Sequence, residues 1–154
     1  MFFKKDRAYE DAMKLFEQEK AKSLTKYNTN VLLKDFEINT TPLEEVMIDS
    51  RKITVLLDDI NEERYKITVY LYHALKVTPI DCFSVMTYYN EYCFRDGRYH
   101  THILEIGNSE WVKELRENLA DKRETYLDDV KHYVLLLGDS VIEFVANKIE
   151  VLKA

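Results

Sequence analysis

The residues from Arg64 to Val77 alternate without interruption between two sets. Tyr65, Ile67, Val69, Leu71, His73, Leu75 and Val77 fall on one face of an extended chain, and Arg64, Lys66, Thr68, Tyr70, Tyr72, Ala74 and Lys76 fall on the other. A strand of this length needs neighbours for its backbone groups, so the chain must build a sheet around it. Just before it, Ile53 to Leu57 is a shorter apolar run, and Asp58, Asp59, Asn61, Glu62 and Glu63 supply a polar turn. The two runs read as an antiparallel hairpin, with the first set of the long strand facing inward.

The other elements arrange themselves around that hairpin. From about Lys4 to Lys26, Tyr9, Ala12, Met13, Phe16 and Leu24 recur at helical spacing, with acids early and Lys20, Lys22 and Lys26 late. Asn28 to Asn30 ends this helix, Val31 to Ile38 reads as a strand, and Thr40-Thr41-Pro42 breaks it. The segment Ile80 to Phe94 fits a short helix or irregular cover over the sheet. Arg95-Asp96-Gly97-Arg98 is a turn, and Tyr99 to Ile106 a strand. Asn108 or Ser109 can cap a helix over 109–121 that carries Trp111, Val112, Leu115 and Leu119 on one side. Lys131 to Leu137, a Gly138-Asp139 turn, Val141 to Ala146 and Ile149 to Leu152 complete the strands. Hairpin-length connections argue for one α+β domain spanning 1–154, a mainly antiparallel sheet with two helices packed on it.

Charge and cysteine content exclude several classes. The chain has 154 residues and a formal net charge of −6, with no basic stripe to offset it, so no nucleic-acid partner is expected. Only residues 1–26 lean basic, and an acidic body steers encounters with basic proteins. No window approaches the ~18 apolar residues of a transmembrane helix, so no membrane partner is expected and the location reads as cytoplasmic. Cys82 and Cys93 lie in neither a disulfide framework nor a CxxC site.

From about residue 51 to 152 the chain resembles a loose group of small bacterial proteins of uncharacterised function. The resemblance rests on the long hairpin, the run Ile106-Gly107-Asn108-Ser109-Glu110-Trp111 opening a helix, and His132-Tyr133 opening a strand. Asp139-Ser140-Val141-Ile142-Glu143 and Ile149-Glu150-Val151 continue it. Some members of that group resemble products of genes near toxin systems, which implies a toxin-neutralising, immunity-type partner. The resemblance carries no catalytic residue across.

Read for chemistry, the chain offers few convergent groups. His100 and His102, at i and i+2 of a strand, would point the same way and could hold a metal ion, with His132, Cys93 or His73 as third ligand. Leu104 and Ile106 share that face, which makes packing the competing reading. His73, between Leu71 and Leu75, reads as a hydrogen-bonded core histidine rather than a general base. Asp58-Asp59 with Glu62-Glu63, and Asp128-Asp129, read as solvated turns rather than calcium or magnesium loops. No nucleophile elbow, P-loop or dinucleotide fingerprint is present, so neither a catalytic residue nor a cofactor is assigned.

Tyrosine is the remaining signal. Tyr70 and Tyr72 fall on the outer face of the long strand, and Tyr88, Tyr89, Tyr92 and Tyr99 cluster nearby. Tyrosine supplies amphipathic area at low entropy cost, so Tyr70 and Tyr72 are candidate interface residues. The expectation is a non-catalytic domain that binds a basic protein or toxin. The alternatives are a metal-dependent or small-ligand protein centred on His100 and His102, and a homo-oligomer formed through an exposed edge strand.

Overall fold

In a computed structural model of the chain, describing residues 2–41 and 44–154, the long alternating run becomes β4 (Arg64–Pro79), which pairs with β3 (Lys52–Asp58) as the expected hairpin. The register sets Asp58 opposite Arg64, and their side chains meet at 3.0 Å. The remaining elements are α1 (Phe2–Lys26), β1 (Asn28–Leu32), β2 (Glu45–Ile48), β5 (Ile103–Gly107), α2 (Glu110–Glu117), β6 (Lys131–Leu136) and β7 (Ser140–Lys153). All strands join one antiparallel sheet in the order β1-β5-β6-β7-β4-β3-β2. The class is α+β.

Several boundaries move from their sequence positions. β1 stops at Leu32 because Leu33 turns into the left-handed region at φ 54, so Val31 to Ile38 is not one strand. β5 begins only at Ile103, which leaves His100 and His102 in the loop before it. Residues 80–94 hold two 3₁₀ turns, Ile80–Cys82 and Glu91–Phe94, joined by irregular chain. α2 starts where expected, with Ser109 Oγ accepting the Val112 N–H at 3.2 Å, but it ends at Glu117. The last two runs are one continuous strand, β7. β2, which the sequence reading passed over, is a fully exposed strand on the edge.

The alternation of β4 breaks near its middle. Leu71 takes φ 53 and donates its amide to the Arg51 carbonyl at 3.1 Å, and the pairing with β7 shifts between Tyr72 and Ala74. Ile67 and Val69 face the core before the break, and Tyr72 and Leu75 face it afterwards. Leu71 and His73, expected inside, are therefore exposed. The shift between Tyr72 and Ala74 then returns Leu75 to the core face beside Phe144, so the change of face is confined to Leu71–His73 within an apparently unbroken pattern.

The inner face of the sheet wraps a core containing Ile53, Val55, Ile67, Val69, Ile103, Leu135 and Phe144. A short strap, residues 36–39, closes it. Ile38 N–H bonds Thr101 O at 2.8 Å on one side, while Asn39 N–H bonds Asp58 O at 2.9 Å and Ile60 N–H bonds Glu37 O at 3.0 Å on the other. Phe36 and Ile38 are thereby buried against that core. Gly107 permits the close pairing of β1, since a Cβ there would lie 2.9 Å from Asn28 O.

Candidate functional site: an uncovered end of the sheet

The outer face is covered unevenly. Residues 80–99 pack on β5, β6 and the start of β7, burying Leu104, Ile106, Val134 and Val141. α2 and the chain up to Val130 pack against Val145. Over β2, β3, the first half of β4 and the end of β7 no helix packs among the described residues. Cross-strand pairs set Met47 beside Thr54, Lys52 beside Tyr70, and Leu56, Lys66 and Leu152 in a row. Met47 is 52%, Tyr70 40% and Leu152 55% exposed. Two shallow depressions meet at Asp49 and Lys52, one lined by Met47, Ile48 and Lys66, the other by Arg51, Tyr70 and Leu71. Lys52, Lys66 and Arg51 are exposed along this surface. Exposed apolar side chains grouped on one sheet face, here interleaved with Lys52 and Lys66, mark interaction surfaces.

Leu71 stands out within this patch. It is 62% exposed while its backbone sits at φ 53, a conformation that costs a bulky residue about 1–2 kcal/mol. Neither core packing nor backbone preference accounts for a leucine there.

The two tyrosines assigned to an interface separate. Tyr70 lies on the uncovered face. Tyr72 turns inward beyond Leu71, packs against the core and donates its hydroxyl to Asp49 O at 2.8 Å. That bond holds the turn between β2 and β3 against β4, so Tyr72 shapes the patch from beneath.

His100 and His102 join a polar cluster at the strap. His100 Nδ1 lies 3.1 Å from Glu37 Oε1 and its Nε2 3.1 Å from Arg95 O. Both contacts are to oxygen acceptors, so each ring nitrogen has a protein partner. Arg98 reaches the same carboxylate at 3.2 Å. Burial pushes the Glu37 carboxyl up, but the His100 hydrogen bond and charge, with Arg98, outweigh it and leave the group below its ordinary 4.5. His102 Nδ1 donates to Phe36 O at 2.8 Å, and its Nε2 faces Arg95 Nη1 at 3.1 Å. Its burial, aided by the Arg95 charge, holds it below 6.5 in the neutral form. All four ring nitrogens are thus engaged with protein partners. Among the described residues no group of three or more His, Cys, Asp or Glu side chains is placed to hold a metal ion.

A second polar cluster pins α2 to the sheet. Ser109 Oγ lies 2.8 Å from His132 Nδ1, and His132 Nε2 lies 3.0 Å from Glu143 Oε1. Tyr88 donates to the same oxygen at 2.5 Å, and Lys76 Nζ stands 3.6 Å from Oε2. The order serine, imidazole, carboxylate resembles a hydrolase relay in composition. Here Ser109 already caps α2, all three side chains are buried, and the Trp111 ring closes over His132 at 5.2 Å with Lys76 above it at 4.6 Å. Ser109 and Glu143 escaped the sequence reading because their partner lies on another strand, although the Ser109 cap was legible.

The other candidates are held in structural roles. His73 is exposed, bonds Asn147 Oδ1 at 2.7 Å and stacks on Tyr126. Asp59 accepts the amides of Asn61 and Glu63 within its turn, Asp58 pairs with Arg64, and Glu63 with Lys153. Asp128 and Asp129 are exposed. Cys93 is buried, with its thiol pushed up to about 11 by burial, and Cys82 is exposed. Tyr88 and Tyr89 are buried, and Tyr92 and Tyr99 partly so, beneath α1 and the strap.

Comparison of the chain with known protein families, curated proteins and solved structures finds no match. No helix among the described residues is long and apolar enough to cross a membrane.

Proposed function

We propose that this chain is a non-catalytic protein-binding domain whose partner covers the bare outer face of β2, β3 and β4, anchored on Tyr70 and Leu71. The observation that carries the reading is Leu71, an exposed leucine in a left-handed conformation. Strain of that kind persists where the surroundings impose it and tends to cluster at functional surfaces. Met47 and Leu152 extend the apolar area, and β2 pairs only with β3 among the described residues, so its other edge is free to receive an extended segment.

The charges indicate the partner's chemistry. At long range the net charge of −6 favours a basic protein. At contact, Arg51, Lys52 and Lys66 rim the apolar patch, so the docking segment carries apolar side chains flanked by acids. The resemblance over 51–152 makes a toxin encoded beside this gene the first partner to test.

The test is co-expression with the product of the adjacent gene, followed by light scattering and hydrogen exchange on the purified complex. A one-to-one complex is expected, with protection rising in β2 and around residues 68–72, and both are lost in Met47→Asp/Tyr70→Ala. Tyr72 is left intact because its substitution would loosen the turn at Asp49. Failure to form a complex, or protection confined to another face, refutes the reading.

A further inference from the structure

The two edges of the sheet differ in how they are protected. At β1, the Asn90 side-chain amide donates to Thr29 O at 2.8 Å, and just past the strand the Tyr92 hydroxyl donates to Lys34 O at 3.3 Å. At β2 no such cap is present among the described residues, and Val46, Met47 and Ile48 are 37%, 52% and 51% exposed. Native edges are ordinarily blunted by a lysine, a proline, a bulge or a covering segment. β2 is Glu45-Val46-Met47-Ile48, in unbroken register with β3, and carries no lysine, proline or bulge.

The hydrogen-bond phase fixes which backbone groups are left over. In antiparallel sheets, a residue of an inner strand turns both its backbone groups to one neighbour, and the next residue turns them to the other. Asp49 N–H bonds Lys52 O at 3.1 Å and Asn39 N–H bonds Asp58 O at 2.9 Å, so the even-numbered residues of β3 serve the β2 side. Leu71 N–H bonds Arg51 O at 3.1 Å, which gives the odd-numbered positions to β4. Glu45 opposite Leu56 and Met47 opposite Thr54 are therefore spent on β3, while Val46 and Ile48 aim N–H and C=O at the open edge. Backbone groups left two residues apart in this way are matched by another extended backbone.

The side chains along the edge describe the sequence of that backbone. Met47 stands on the outer face beside Thr54, whereas Val46 and Ile48 stand on the inner face beside Val55 and Ile53. A strand laid against them meets apolar neighbours on both faces, so its residues are apolar in succession rather than in alternation. Glu45 is exposed at one end of β2, and Arg51 and Lys52 are exposed at the other. We propose that the partner adds an extended segment to β2 as an eighth strand, bonded to the backbone of Val46 and Ile48. The segment carries consecutive apolar residues, with a basic residue toward Glu45 and an acidic one toward Arg51 and Lys52. This mode rests on the β2–β4 docking reading and goes beyond it in making the partner's main chain a bound group.

The test uses the full chain, alone and with the co-expressed product of the adjacent gene. Val46→Pro and Ile48→Pro each delete one outward N–H and spare the β2–β3 ladder. The residues before them, Glu45 and Met47, are already extended, as a following proline requires. Each variant should weaken the complex about tenfold and leave the thermal midpoint and circular dichroism near those of the parent. Residue-resolved amide exchange in the free parent should be fast at Val46 and Ile48 and slow at Met47, and slow at all three in the complex. Equal protection of the three in the free chain, or fast exchange at Val46 and Ile48 in the complex, overturns the proposal, and this readout decides the matter if the proline variants do not fold. A complex weakened by Met47→Asp/Tyr70→Ala but by neither proline leaves the docking face standing without the added strand, and no complex with the parent refutes both.

Discussion

His132 places Nε2 3.0 Å from Glu143 Oε1, two side chains on neighbouring strands that are both buried beneath Trp111. Burial drives the Glu143 carboxyl upward, but hydrogen bonds from His132 and Tyr88 and the Lys76 charge outweigh it and hold it below 4.5. Removing one member of such a cluster strands the others without partners, so Glu143→Ala should cost about 3 kcal/mol in urea unfolding. Ser109→Ala, which removes the α2 cap, should cost about 1–2 kcal/mol. A loss below the error of the measurement for both would show that the cluster does not hold α2.

Acid should unfold the domain in two stages. His102 is held below 6.5, and Glu37 and Glu143 below 4.5, so each binds protons more readily when unfolded. Their contributions are complete above pH 6.5. Stability declines as pH falls below 6.5 through His102, then more steeply below 4.5 as the two carboxylates protonate. Thermal midpoints measured from pH 8 to 3 should trace both legs, and Glu143→Gln should flatten the lower one. A midpoint that rises on acidification from 8 to 4 contradicts this account.

Leu71→Gly separates stability from binding. The substitution relieves the left-handed strain and, because the side chain is exposed, removes little packing. It should therefore stabilise the domain by about 0.5–1 kcal/mol after the entropy cost of glycine. Binding at the β2–β4 face should weaken at the same time. A variant that is less stable than the parent would mean that Leu71 packs against something essential.

Gly107→Ala should act locally. A methyl group there meets Asn28 O at 2.9 Å and Asn28 Cβ at 3.1 Å, both in the paired strand. We expect a loss of about 1–3 kcal/mol, with faster amide exchange in β1 and unchanged protection in β3 and β4. Uniform loss of protection would show that β1 and the hairpin unfold as one unit.

The sequence made the β3–β4 hairpin legible because the alternation and the acidic turn are local signals, and the Ser109 cap and Gly138-Asp139 turn for the same reason. The bulge at Leu71 was hidden because the apolar set continues through it, and only the Arg51 carbonyl, in another turn, reveals that the backbone changes course. That one event moved Leu71 and His73 outward and Tyr72 inward. His100 and His102 were visible as a pair, but Glu37 is 63 positions from His100 in the chain, and nothing local announces that a strap will bring it there. The short exposed β2 gives too few residues for a period to show.

β7 lies between β6 and β4, at the middle of the sheet, yet it follows every other strand in the sequence. During synthesis the hairpin side and the β1-β5-β6 side must therefore wait as two separate half-sheets, each with an open edge. Their union depends on the segment that leaves the ribosome after both. A chain cut before Ser140 would lose the seam between two half-sheets rather than a trimming, and each half would keep an unpaired edge exposed to other chains.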